Sequence, residues 1–79
     1  MNLQEIETIV AEIIMDKLGI SEADISPEST LKDLGADDLQ EIEIMLEVEQ
    51  LFFLSIPDYL EPEIFKFSNL CNYIERKCS

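Results

Sequence analysis

Between Asp37 and Phe53 the chain carries apolar residues around most of a helix's circumference, and no other stretch limits the fold as much. At about 100° per residue, Leu39, Ile42, Leu46 and Phe53 share one side. Ile44, Met45, Val48, Leu51 and Phe52 carry the apolar arc much further round. The polar remainder is a narrow stripe of Gln40, Glu43, Glu47 and Gln50, with Glu41 and Glu49 near the rims of the arc. An arc this wide suits a central helix touched on two sides by others. Asp37 and Gln40, three apart, form the capping pair that starts it. Leu51 and Phe53, in the run LFFL, are expected to be covered by the same burial; exposed, either would mark a hydrophobic partner or self-association site.

The rest of the chain supplies the neighbours. Leu3, Ile6, Val10, Ile13, Ile14 and Leu18 have the spacing of one helical face. Asn2 and Glu5 form a capping box before them, and Gly19 stands where a left-handed residue ends a helix. Residues 20–36 read as a long loop broken by Pro27 and Gly35, pinned by Ile20, Ile25, Leu31 and Leu34 and expected to contain short helical turns. After the central helix, Pro57 and Asp58 open a short helix at most, and Pro62 is tolerable only in a first turn. Phe67, Leu70, Cys71 and Ile74 mark a last helix at i, i+3, i+4, i+7, with Arg76 and Lys77 suited to its negative end. The fold class is therefore all-α: one domain over residues 1–79, a small bundle of three longer helices plus one short, with a long first loop.

Composition then narrows the chemistry. Hydrophobic residues make up 47% of the chain, enough for a core and against a disordered chain. Eighteen acids against five bases give a formal charge of −13, which repels phosphate backbones and anionic lipid and attracts partners with basic patches. Neither nucleic-acid binding nor membrane insertion is expected: no stretch approaches about 20 apolar residues, and the start has no basic region of a signal peptide. Cys71 and Cys78 on one helix would stand about 10 Å apart, too far for a disulfide, so reduced thiols and a cytoplasmic setting are expected. The chain is expected to be a monomer.

The catalytic inventory is thin. Without histidine, no Ser–His or Cys–His pair can be built. The two glycines, Gly19 and Gly35, make no phosphate loop. Asp33, Asp37 and Asp38 fit no EF-hand spacing, so loose ion pairing is expected there rather than a metal site. The chain is not expected to be an enzyme.

The block LKDLGADDLQEIEIMLEVEQLF, followed by IPD and later NYI, resembles the acyl carrier protein family. The resemblance runs from the first helix to Tyr73 and Ile74, and its specific part is Leu31 to Leu39. It implies a carrier fold in which an Asp-Ser-Leu motif opens the second helix and the serine bears a 4′-phosphopantetheine arm. Asp38 stands where that serine belongs. A carboxylate has no hydroxyl to attack the coenzyme A pyrophosphate, so no arm is expected, and no other hydroxyl has the motif's context. Asp38 is open to three readings: a helix starter favoured by the macrodipole, a partial imitation of the phosphodiester charge of a loaded carrier, or a laboratory replacement.

What the resemblance implies beyond the arm is a recognition surface. Basic patches of synthase- or transferase-type enzymes would meet Asp37, Glu43 and Glu49, with Glu41 and Glu47 as neighbours. The family's acyl cleft would map onto Ile44, Leu46, Val48, Ile56 and Ile64. Lys66 stands where relatives often have a capping threonine, so the last helix would be capped at Ser68 or begin raggedly. The expected function is a non-enzymatic docking module of fatty-acid or polyketide-type metabolism. The alternatives are a genuine carrier in inactivated form and an unrelated small acidic helical interaction protein.

Overall fold

The structure is a computed structural model that describes residues 1–56 and 62–78. Three α-helices dominate it: α1 Leu3–Leu18, α2 Asp38–Phe52 and α3 Phe67–Cys78. Two 3-10 turns, Glu22–Asp24 and Pro62–Phe65, lie in the connections, and among the described residues no strand forms. The expected all-α bundle is present, with the short fourth element realised as the turn that begins at Pro62. The expected opening at Pro57 and Asp58 lies outside the described residues.

The first helix is built as its sequence indicates. The Asn2 side chain accepts from the Glu5 amide at 2.8 Å, and Glu5 accepts from the Asn2 amide at 3.3 Å. Gly19 ends the helix with φ 68° and donates to the Met15 carbonyl. Ile6, Val10, Ile13 and Ile14 are buried, joined by Ala11, while Leu3 and Leu18 are only partly covered.

It is α1, not α2, that occupies the centre. α1 packs against both α2 and α3, and α2 packs mainly against α1. One partner helix buries one face, so α2 covers Ile44, Met45, Val48 and Phe52 and no more. The expectation of a central second helix fails here. Leu39, Ile42, Leu46 and Phe53, the side that was to be core, face solvent, and so does Leu51.

The long loop is not loose. Leu31 is fully buried and Ile20, Ile25 and Leu34 are partly covered, so the pins act as expected. Ser29 and Pro27 carbonyls accept from the amides of Phe67 and Ser68 at 2.8 and 3.1 Å. These bonds satisfy two of the orphan donors at the start of α3, so loop backbone rather than a Ser68 side chain caps it. Thr30 and Lys66 pair in an isolated antiparallel bridge beside them. Phe67, Leu70, Cys71 and Ile74 all face the core, with Tyr73 as a fifth buried residue. Burial pushes the Cys71 thiol up to about 12, so at neutral pH it is an inert core side chain, and Cys78 is free and exposed.

Candidate functional site

The candidate site is the start of α2 and the face that runs from it. Asp37 has extended backbone angles and takes the N-cap position; its side chain accepts from the Gln40 amide at 2.8 Å while Gln40 accepts from the Asp37 amide at 3.0 Å. These two reciprocal bonds fix where the helix begins and therefore where the next residue points. Asp38 is the first helical residue, and its side chain is 90% exposed.

Asp38 is not a bare charge at the helix end. Lys32 Nζ lies 2.7 Å from Asp38 Oδ1 and 3.8 Å from Glu41 Oε1. The hydrogen bond from Lys32, and then its charge, hold the Asp38 carboxyl below its ordinary value; the same bond and the charges of Asp38 and Glu41 raise Lys32. Glu41 is the covered member, its side chain only 12% exposed. The signs set a plateau. Asp38's contribution is present above the ordinary carboxylate range and is lost as pH falls through its depressed pKa. Lys32's is present below the ordinary lysine value and is lost as pH rises through its raised one. Asp38→Asn is therefore expected to lower the melting temperature slightly at neutral pH and low salt. The gap should close in strong acid, where both side chains are neutral, and in molar salt, which screens an exposed pair. A gap that persisted in molar salt would mean that Asp38 acts through something other than this pair; thermal melts across pH and salt read it directly.

Beside Asp38 a recess of about 270 Å³ is lined by Asp38, Glu41, Ile42, Met45 and Phe65. It shares no residue with the cleft expected from the sequence. Ile44, Val48, Ile56 and Ile64 are buried members of the common core, whereas Leu46 is half exposed on the opposite side. The recess was visible in the sequence only as Ile42 and Met45, one and two helical turns after Asp38.

The expected recognition acids divide into three groups. Glu47 is exposed and Glu43 half-buried at the surface. Asp37 is exposed but already holds the cap. Glu41 is tucked beneath Lys32, and Glu49 accepts from the Ile56 amide at 2.7 Å. Glu43 and Glu47 flank a continuous apolar face of Leu39, Ile42 and Leu46, at i, i+3 and i+7. Sequence reasoning assigned that face to the core; its exposure makes it the most prominent apolar surface of the helix. Asp33 is turned to its own loop, accepting from the Thr30 amide, and among the described residues no three acids gather in a group that could hold a metal ion.

Comparisons with known proteins give the family of the chain. The family profile described as "Phosphopantetheine attachment site" matches residues 8–60. An acyl carrier protein of Porphyromonas gingivalis is 35% identical over 75 residues, covering 94% of this chain and 96% of the relative. That of Amoebophilus asiaticus is 36% identical over 76 residues, covering 95% of each. A near full-length match on both sides, over a three-helix fold with its capped helix start at Asp37, places this chain in the acyl carrier protein family.

Proposed function

We propose that this protein is a non-enzymatic docking module of acyl-chain metabolism that offers α2 to synthase- and transferase-type enzymes without bearing the phosphopantetheine arm. The observation that carries this reading is the residue after the cap. The resemblance puts the arm's attachment at position 38, where a carboxylate, held at 2.7 Å by Lys32, has no hydroxyl oxygen to form the phosphodiester. An anhydride formed in its place would be hydrolytically labile. The group therefore does not fit the residues present. Acyl carrier proteins are themselves carriers rather than catalysts, so losing the arm leaves recognition as the remaining role.

The α2 face supports recognition. Leu39, Ile42 and Leu46 are exposed together, and Glu43 and Glu47 border them. Apolar area supplies affinity, while the acids supply steering and orientation toward a basic rim. Binding of a purified condensing enzyme or acyltransferase to the unmodified chain tests the reading. Reversing Glu43 and Glu47 to lysine is expected to weaken that binding about tenfold or more, with a steep loss as salt rises. Binding that ignored both reversal and salt would overturn it.

A second reading is supported by the intact frame around Asp38. Asp37 and Gln40 keep both capping bonds, and Leu39 keeps its exposed place. On this reading the protein is an ordinary carrier in which only the attachment atom is missing.

A further inference from the structure

At the end of α2 one residue combines two unfavourable features. Phe53 adopts φ 55° and ψ 45°, the left-handed region, and is the only non-glycine residue with positive φ among those described. The residue is also 95% exposed. Left-handed backbone crowds a Cβ against the carbonyl, and an aromatic ring in water gains nothing from burial. α1 shows what the fold alone requires at this place. Gly19 closes it with φ 68° and ψ 32°, donating to the carbonyl four residues back, as Phe53 donates to Glu49. A glycine would serve α2 equally well, so neither local structure nor packing accounts for the phenylalanine.

Position gives it a use. The Phe53 Cα falls, at about 100° per residue, within the angular range of Leu39, Ile42 and Leu46, and about 10 Å beyond Leu46 along the axis. It extends the exposed apolar face past the helix end. A second copy is a poor cover. It would bring its own charge of −13 and its own Glu43 and Glu47 against the same acids. A surface with an apolar pocket inside a lysine- and arginine-rich rim satisfies the ring and the acids together.

We propose that Phe53 is the aromatic anchor of the docking face, seated on binding in an apolar, basic-rimmed pocket of the partner enzyme. This rests on the docking role of α2 and goes beyond it by assigning the far end of the footprint. Large aromatic side chains that fill a desolvated pocket dominate binding in many interfaces, and the strained backbone is the cost of presenting the ring.

Phe53→Gly separates fold from binding, with Phe53→Asn as a second variant that also tolerates left-handed backbone. Both are expected to raise the melting temperature, the glycine by about 3–6 °C, because strain is relieved and no core contact is lost. Both are expected to weaken binding at least tenfold in titrations with a purified condensing enzyme and a purified acyltransferase of acyl-chain synthesis. A lower melting temperature in both variants would show that the ring supports the fold and would overturn the proposal. Unchanged binding, with Glu43→Lys and Glu47→Lys still weakening it, would remove the anchor and leave the docking role standing. No binding by the parent chain to either enzyme would remove both. A parent dimer in sedimentation that dissolved on Phe53→Gly would assign the ring to self-association and overturn the basic-partner assignment.

Discussion

Asp38→Ser should accept a phosphopantetheine arm that the parent chain refuses. Incubation with coenzyme A and a broad-specificity phosphopantetheinyl transferase, read by intact mass, is expected to add the arm to the variant and nothing to the parent. The chemistry is all-or-none, because a stable phosphodiester needs a hydroxyl, and Asp38 offers only a carboxylate, paired with Lys32, whose phosphate adduct would be a labile anhydride. The substitution restores Asp-Ser-Leu at residues 37–39 without touching what positions it. Both capping bonds run between Asp37 and Gln40, and neither involves the side chain at 38. Lys32 loses its partner but keeps Glu41 within 3.8 Å. An arm found on the parent would refute the reading of Asp38. Refusal by the variant would mean that the α2 face, and not one atom, has departed from what the transferase recognises, which would favour the docking module over the silenced carrier.

Leu70→Ala is expected to bring the protein close to unfolding. Leu70 is fully buried in the first half of α3 and belongs to the core cluster that includes Ile6, Val10 and Ile14 of α1. Truncating such a leucine removes transfer free energy and leaves a cavity, together about 2–5 kcal/mol. A chain of 79 residues has only about 4–12 kcal/mol to lose. The melting temperature should fall by about 10–30 °C at this size. Leu46→Ala is the contrast: half exposed on α2, it should leave the melt nearly unchanged. Equal losses at the two positions would mean that α2 is rotated from the orientation described, and thermal melts of the pair would reveal it.

Much of this architecture could be read from residue order. The caps at Asn2 and Asp37, the stop at Gly19 and the buried set Phe67, Leu70, Cys71 and Ile74 each follow from a local pattern, and each is present. The orientation of α2 could not be read in this way. Its apolar residues cover more of the circumference than one neighbour can bury, so pattern alone cannot say which side meets α1. The answer depends on tertiary placement, which put Ile44, Met45, Val48 and Phe52 inside and Leu39, Ile42 and Leu46 outside. The Lys32–Asp38 pair was hidden for a related reason. Its members are six residues apart across a loop-to-helix junction, and only the turn at Gly35 brings them together. Phe53 gave no signal as a helix end, because a left-handed cap is read from glycine or asparagine.

The loop before α2 and the segment that enters α3 hold each other through backbone hydrogen bonds, Phe67 to Ser29, Ser68 to Pro27 and Leu31 to Phe65, with the Lys66–Glu28 ion pair at 3.5 Å beside them. Neither segment can fray without exposing the other's amides, so the two open together or not at all. Any partner that displaces residues 27–31 thereby also exposes the amides that open α3.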